Sequence, residues 1–209
     1  MKEKVPEIIK NLEKRNITGY FANTKEQGLA IALSFVREGM IVSWGGSMTL
    51  EETGLKTEIR RLEQEGKIRL IDAHSIKDPR LNHEARRRSL LANLYYMSTN
   101  AITLGGELMN IDGFGNRVAA LAFGPEKVVI LCGTNKITEN LEDAYKRIKE
   151  VACPKNAARL GRSTPCIETG RCCECLVSNS TLCGTVTTTR FCNEKGRIHV
   201  ILIDDSLGF

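Results

Sequence analysis

Short apolar runs alternate with helix-forming segments between residues 24 and 151, and this alternation limits the fold more than any other feature of the sequence. The run at 127–131 (KVVIL) is typical of a buried strand, and residues 138–151 have the apolar spacing of an amphipathic helix. Chains that alternate strands and helices in this way form a mainly parallel sheet with helices on both faces. The sequence therefore predicts an α/β fold.

Helix caps and further apolar runs place the other elements along the chain. Val5, Ile8 and Leu12 share one face of an N-terminal helix, and Thr24 with Gln27 has the spacing of a capping box. The predicted strands cover residues 40–43, 67–71, 94–97, 101–103, 107–111, 127–131 and 198–203. The other predicted helices cover residues 24–38, 57–65, 80–91, 118–123 and 138–151.

The 209 residues suit one domain, which we assign to residues 1–209. Residues 1–20 carry the N-terminal helix, and residues 153–197 form a cysteine-rich segment without clear periodicity. No signal-peptide core is present, and no apolar run reaches the ~20 residues that span a bilayer, which predicts a cytoplasmic protein. The formal net charge of +5 comes partly from the basic run at 86–88, interpreted as a solvated face. No aromatic residues interleave the basic ones, so nucleic-acid binding is not expected.

The chain has eight cysteines, and six of them lie between residues 166 and 192. Without a signal peptide, such a cluster is more typical of a metal or redox site than of disulfides. The candidate metal ligands are Cys166, Cys172, Cys175 and Cys183. A [4Fe–4S] cluster and zinc both accept four thiolates, so the metal stays open. Cys173 is a spare thiol and Cys192 an alternative ligand, while free thiols or an occasional disulfide are the competing interpretation.

A glycine-rich turn follows the predicted strand at 40–43. Its candidate ligand-binding residues are Gly45, Gly46, Ser47 and Thr49. At the carboxyl end of a strand, glycines let backbone N–H groups approach an anion, and hydroxyl groups add hydrogen bonds. The turn therefore indicates binding of a phosphate or carboxylate, with a plain capped turn as the alternative. It is not a Walker loop, because no lysine follows the glycines.

Polar residues and glycines are also dense between residues 99 and 117. The candidate ligand-binding residues here are Asn100, Asn110, Asn116 and Arg117. An arginine beside a glycine-rich turn suits bidentate capture of a carboxylate or phosphate. Glu107 and Asp112 are candidate catalytic groups for proton transfer, if their surroundings tune them. The alternative is two turns whose asparagine and aspartate side chains bind nearby backbone groups.

Several segments resemble the LUD domain family, the group that includes lactate-utilisation protein C. They are SWGGSMTLEETGL, TNAITLGGELMNIDGFGNRVAALAFGPEKVVILCGTNKI, LEDAYKRIKEVACPKNAARL, TPCIETGRCCEC and RIHVILIDDSLGF, from about residue 20 to residue 209. The resemblance implies a three-layer αβα, Rossmann-like fold of the type seen in glucosamine-6-phosphate deaminase, ribose-5-phosphate isomerase and CoA transferases. It also implies a link to bacterial lactate oxidation, as one subunit of an iron–sulfur protein assembly.

The resemblance also bears on individual residues. A fainter likeness to methylthioribose-1-phosphate isomerase and its initiation-factor relatives puts Asn100 where that enzyme has its catalytic acid. Asparagine does not take up that proton, so isomerase chemistry is not expected even if the pocket is shared. The cysteine segment is similar to that of a subset of LUD proteins, in which the four candidate ligands occupy the motif positions. Cys173 departs from the acidic or polar residue that is usual there.

Three function hypotheses remain open. In the first, the chain is a subunit or accessory in oxidation of L-lactate or a related hydroxy acid, with an anionic ligand, a [4Fe–4S] cluster and iron–sulfur redox partner proteins. In the second, it is an enzyme acting on a phosphorylated or CoA-linked small molecule, with structural zinc. In the third, it is a non-catalytic ligand-binding module. The sequence does not decide whether the chain is an enzyme or whether it forms a homo-oligomer.

Overall fold

A six-stranded parallel sheet forms the centre of the computed structural model, which describes residues 2–178 and 180–209. In spatial order its strands are β1 (Thr18–Ala22), β10 (Ile198–Ile203), β7 (Lys127–Gly133), β4 (Leu94–Met97), β2 (Ile41–Trp44) and β3 (Arg69–Ile71). Strand β7 pairs with both β10 and β4, and all six of its residues from Val128 to Gly133 are buried. The predicted parallel sheet with its strongest strand at the centre is confirmed.

Helices cover both faces of this sheet. They are α1 (Val5–Glu13), α2 (Lys25–Leu33), α3 (Met48–Glu52), α4 (Leu55–Gln64), α5 (Pro79–Arg88), α6 (Asn116–Ala122), α7 (Leu141–Arg147), α8 (Cys153–Arg159) and α9 (Pro165–Thr169). Side chains alternate across a strand, so Val128 and Ile130 pack with α1 and α6, while Val129 and Leu131 pack with α2, α3 and α4. The result is the three-layer αβα architecture that the sequence predicts.

A second, mixed sheet of four strands lies beside the first. Its strands, in spatial order, are β8 (Ile137–Thr138), β5 (Ala101–Thr103), β6 (Leu108–Asp112) and β9 (Thr185–Thr189). Strand β6 is antiparallel to both β5 and β9, whereas β8 is parallel to β5. The sequence predicted β5 and β6 as strands but not the separate sheet. Strand β1 was missed as well, and it begins at Thr18, within the stretch assigned to the N-terminal helix.

The predicted helix at 138–151 begins and ends elsewhere. Thr138 lies in β8, and the cap of α7 is Asn140, whose side chain accepts a hydrogen bond from the Asp143 N–H. At the other end the chain passes through a π-turn at Ile148–Ala152 and continues as α8 to Arg159. Pro154 has no N–H to complete an α-helical bond, and a π-turn is one way to accommodate that loss. The expected boundary before Cys153 is therefore absent.

The segment at 153–197 is less irregular than predicted. It contains α8, α9 and β9, and β9 pairs with β6 along five residues. The threonine-rich sequence of β9 (TVTTT) suits a strand because β-branched side chains pack well on a pleated surface. No helix within the described residues is long and apolar enough to cross a membrane.

Candidate anion-binding site

A cavity of about 330 Å³ opens where the chain leaves the carboxyl ends of several strands. Ser47 follows β2, Ser98 follows β4, Asp112 ends β6, and Lys136 follows β7. This is the edge at which ligands of open α/β sheets bind. The glycine turn, where the sequence predicts anion binding, borders this cavity.

Lys136 is a buried cation at the wall of the cavity, and only 3% of it is exposed. Its Nζ donates to Thr49 Oγ1 and to Ser98 Oγ, both at 2.9 Å. Among the described residues no carboxylate lies within ion-pair distance of it. Desolvation lowers the pKa of Lys136 from its ordinary 10.5 to about 8. The ammonium group is still charged at pH 7, and an anionic ligand in the cavity would compensate its charge.

The described cavity wall is rich in positive charge. The cationic side chains that line it are Lys56, Arg86, Arg117, Lys136, Arg159 and Arg162. Two carboxylate side chains also line it, and both have partners: Glu51 pairs with Lys56 at 2.7 Å, and Asp112 accepts from backbone N–H groups. Desolvation and the charges of Lys56 and Arg86 lower the pKa of His74, which keeps this imidazole neutral at pH 7. The electrostatics therefore favour an anion.

The predicted glycine turn borders the cavity through Gly46, Ser47 and Thr49. Gly45 has a packing role, because a Cβ there would lie 3.0 Å from Arg117 Cδ and 3.1 Å from the Tyr95 hydroxyl. The Ser47 side chain caps α3 by accepting from the Leu50 N–H. Thr49 Oγ1 donates to the Leu207 carbonyl at 3.2 Å while it accepts from Lys136. Both hydroxyl groups thus already have internal partners.

Arg117 holds the wall together. Its Nη1 donates to the Ser98 carbonyl and to Asn110 Oδ1, both at 2.9 Å, and its Nη2 donates to Asn100 Oδ1 and to the Ile111 carbonyl. Asn100 Oδ1 also accepts from the Ile111 N–H. The structure therefore brings three predicted ligand-binding residues together in one network. With four bonds inside the protein, Arg117 positions this loop, and its use as a fork for a ligand remains a prediction.

Asp112 and Asn116 lie at the start of α6. Asp112 Oδ2 accepts from the Arg117 N–H at 3.0 Å and from the Val118 N–H at 3.3 Å, so this carboxylate caps the helix. Asn116 Oδ1 accepts from Arg86 Nη1 at 3.1 Å. Both side chains border the cavity. A proton-transfer role for Asp112 stays a prediction, and the contacts of Oδ2 with the helix N-terminus give this carboxylate a structural role.

Glu107 lies apart from the cavity-lining residues. It forms an ion pair with Arg15 and accepts a hydrogen bond from the Thr103 hydroxyl. Burial opposes its ionisation, but these bonds and the nearby positive charge outweigh burial and lower the pKa of Glu107. The structure thus separates the two predicted catalytic carboxylates, and Glu107 connects the residues after α1 to the turn between β5 and β6.

Sequence reasoning missed several residues of the cavity. Lys136, Ser98, His74 and Arg159 were not singled out, and Arg86 was counted in a solvated basic face. Arg86 instead contacts Asn116 and lies 4.8 Å from the centre of the Phe114 ring. One signal was available for Lys136, since it follows the end of the strongest strand, where ligand-binding residues of α/β sheets gather. The others come from distant parts of the chain.

The predicted metal ligands lie in the segment that flanks the cavity. Cys166 is buried in α9, whereas Cys172, Cys175 and Cys183 are partly exposed. No three metal-binding side chains of the described residues are close enough together to hold an ion as they stand. Cys173 is exposed, and Cys192 packs in the core on the α1 side of the main sheet. The ligand set predicted from spacing therefore stays a prediction.

Cys153, which was not in that set, contacts one of its members. The sulfur atoms of Cys153 and Cys183 lie 3.3 Å apart in a hydrogen bond. This bond lowers the pKa of Cys183 to about 7, because it stabilises the thiolate of the more exposed partner. The same bond, burial and the sulfurs of Cys183, Cys172 and Cys166 raise the pKa of Cys153. Cys153 also lines the cavity, so the thiol cluster and the anion site share a wall.

The fold and cavity define an α/β protein with a candidate small-anion site at the carboxyl edge of a parallel sheet. A family model described as the LUD domain matches residues 5–203, nearly the whole chain. The chain therefore belongs to the LUD domain family. No curated protein matches it.

Solved structures support the fold. A DUF162 family protein from Deinococcus radiodurans is 12% identical, covers 97% of both chains and has a TM-score of 0.52, which shows a shared fold alone. Ribose 5-phosphate isomerase A from Methanocaldococcus jannaschii is 15% identical over 66% of each chain, with a TM-score of 0.35. eIF2B beta from Chaetomium thermophilum is 15% identical over 68% of this chain and 49% of its own, with a TM-score of 0.40. The last two scores are too low to carry an argument.

Proposed function

We propose that this LUD-domain protein binds a small organic anion in the cavity beside Lys136 and serves as a subunit or accessory in oxidation of L-lactate or a related hydroxy acid. The observation that carries the binding proposal is the buried ammonium of Lys136, held by two hydroxyl groups and by no described carboxylate. Burying a cation without a counter-ion is costly. A bound carboxylate or phosphate would offset that cost.

The size of the cavity supports a small ligand. Small-molecule sites have volumes of about 300–1,000 Å³, and 330 Å³ lies near the lower end of that range. A hydroxy acid or a sugar phosphate fits this volume, whereas a CoA ester would leave much of its nucleotide outside. The size therefore favours an acid such as L-lactate over the CoA-linked alternative, while a small phosphate ester stays a second candidate.

The cysteine segment is the second part of the proposal. The segment carries a centre bound by thiolates, and the sequence is compatible with a [4Fe–4S] cluster or with zinc. Cys153 connects this centre to the cavity. Free thiols on this segment, one of which (Cys183) contacts Cys153, support such a centre, because metal binding would contribute folding free energy. An iron–sulfur cluster would relay electrons to partner proteins, whereas zinc would stabilise the segment.

Calorimetric titration of the purified protein at pH 7 tests the binding proposal. The probes are L-lactate, inorganic phosphate and a sugar phosphate, each against the wild type and the Lys136→Met variant. Hydrogen bonds to charged groups contribute about 1.5–3 kcal/mol each, so we expect the variant to bind about 10- to 150-fold more weakly. Preference for L-lactate over the two phosphates would favour the hydroxy-acid proposal.

Lys10→Met is the matched control, since Lys10 is exposed on α1 and does not line the cavity. It removes the same charge and should leave affinity unchanged. If Lys136→Met binds as tightly as the wild type, the ligand site is elsewhere. If none of the three probes binds to the wild type, the proposal of a small-anion site is wrong.

A further inference from the structure

Two thiols from separate parts of the chain meet at the wall of the cavity. The sulfur atoms of Cys153 and Cys183 lie 3.3 Å apart, and both residues are free cysteines. Cys153 is the first residue of α8, whereas Cys183 lies two residues before the start of β9. The thiols of Cys166, Cys172 and Cys173 contact hydroxyl or backbone groups instead. The fold therefore brings together two cysteines that are 30 residues apart in the sequence.

Both members of this pair are held by the surrounding structure. Cys153 is buried in a small apolar cluster that includes Ala144 and Ile148, and Cys183 packs against the same cluster. The backbone next to Cys183 is closely packed as well, because a Cβ on Gly184 would lie 2.9 Å from the Gly113 carbonyl oxygen. Strand β9 then pairs with β6 along five residues. The contact between the two sulfurs is thus built into the packing of the segment.

The distance and the exposure of the two thiols suit formation of a disulfide. A disulfide bond is about 2.05 Å long, so the sulfurs have about 1.3 Å to close from their separation of 3.3 Å. Cys183 is partly exposed, whereas only 4% of Cys153 is exposed. An oxidant from solvent therefore reaches Cys183 first. Cys153 is then the neighbouring thiol that completes the bond.

We propose that Cys153 and Cys183 form a redox-active pair, which a hydroperoxide converts into a disulfide that fixes the cavity wall. In the first step the Cys183 sulfur attacks one peroxide oxygen, the O–O bond breaks, and a sulfenic acid and one molecule of water form from hydrogen peroxide. In the second step the Cys153 sulfur displaces the sulfenic hydroxyl group, which leaves as water with the Cys153 proton. Hydrogen peroxide is reduced by two electrons to two waters, and the two thiols are oxidised to one disulfide.

The disulfide would act on the cavity because both sides of the pair contribute to its wall. Cys153 and Arg159 line the cavity from α8, and Leu182 lines it from the residue before Cys183. A bond between the sulfurs would join these two parts of the wall. Coupling between two sites commonly changes affinity by about 5- to 150-fold, so we expect the reduced and oxidised forms to differ in anion affinity by about fivefold or more.

The two parts of this inference have different foundations. The effect on affinity rests on the anion site of the proposed function, whereas formation of the disulfide does not. Nor does the disulfide need a metal. A bound metal would compete for Cys183, which is among its predicted ligands, so the pair is tested in the presence of a chelator.

Peroxide treatment of the full chain with mass-spectrometric mapping tests the pair. The protein is reduced, freed of reductant, treated with a chelator and exposed to an equimolar amount of hydrogen peroxide. We expect a cross-link between Cys153 and Cys183 that dithiothreitol reverses. Cys153→Ser should stop at the sulfenic acid of Cys183, which dimedone traps. Cys173→Ser removes an exposed thiol as the matched control and should form the same cross-link.

Calorimetric titration with inorganic phosphate and with L-lactate then compares the reduced and the oxidised wild type. A cross-link with equal affinities would overturn control of the cavity, and no binding by either form would overturn the proposed anion site. A cross-link of Cys183 to another cysteine, or dimedone-labelled Cys183 in the wild type with Cys153 still a free thiol, would overturn the pair. If Cys153→Ser does not fold, the map of the wild type decides alone.

Discussion

The cavity and the cysteine segment share a wall but are held in place in different ways. The cavity stands on the ends of β2, β4, β6 and β7, and its central side chains, such as Arg117 and Lys136, have several internal hydrogen bonds. Among its described residues, the segment contacts the rest of the chain through pairs such as Cys172 with Lys149 and Cys183 with Cys153, and 95% of Leu176 is exposed. One region is ordered by its own hydrogen bonds, while for the other we propose a bound group that contributes to its order.

This difference indicates how each region should respond to change. A substitution in the cavity changes either the hydrogen-bond network of the wall or the charge near a bound ligand. The first change is measured as stability and the second as ligand affinity. Removal of a bound group from the segment should loosen it locally, because the parallel sheet does not depend on it.

Arg117→Met should destabilise the fold by about 3–5 kcal/mol, because it leaves the acceptors on Asn100, Asn110, Ser98 and Ile111 without their partner. Chemical denaturation followed by circular dichroism measures the free energy of unfolding. Arg87→Met is the control, since Arg87 is exposed on α5 and should change stability by less than about 0.5 kcal/mol. Equal stability of Arg117→Met and the wild type would mean that Arg117 does not build the wall.

Lys136 should lower the free energy of unfolding of the ligand-free protein, although it favours binding of an anionic ligand. Its pKa is about 8 in the native state and 10.5 ordinarily, so between these values the unfolded chain binds more protons. Stability of the ligand-free protein should therefore rise with pH over this window, by up to about 3 kcal/mol. The difference in unfolding free energy between wild type and Lys136→Met isolates this effect, and it should shrink as pH rises. A difference that does not vary with pH would contradict the burial of a charged Lys136.

Affinity for L-lactate should fall as pH rises above about 8, because the neutral amine no longer attracts the carboxylate. Because binding requires the proton on Lys136, affinity should fall about tenfold for each pH unit above this pKa. Calorimetry between pH 7 and pH 9.5 measures it, and L-lactate is the suitable probe since its carboxylate does not titrate there. Lys136→Met should show weak binding without this slope. The same slope in the variant would assign it to another group.

Chelation of the proposed metal should have the smallest effect on the whole fold. Local opening of the segment does not require the sheet to open, so the midpoint of thermal unfolding should shift by no more than about 2–4 °C, or about 1 kcal/mol. Limited proteolysis should instead show faster cleavage between residues 160 and 184. Cleavage at an unchanged rate after complete metal removal would show that the segment is ordered by its own contacts.

The secondary-structure elements were predicted from the sequence better than the tertiary contacts. Buried strands such as β7 and the Thr24 cap of α2 follow local rules, and both are confirmed. The mixed sheet was missed because its strands pair residues far apart in the chain, as β6 does with β9. Lys136 and Arg86 reach the cavity from separate elements, and no spacing brings them together before the chain folds. Cys153 was set aside for the same reason, since its contact with Cys183 spans 30 residues.

A crystal structure of the protein soaked with L-lactate or phosphate would show directly whether an anion binds beside Lys136. We expect a ligand oxygen within hydrogen-bond distance of Lys136 Nζ, in the cavity beside Thr49 and Ser98. An empty cavity with the ligand bound elsewhere, for example beside Arg15 and Arg190, would contradict it.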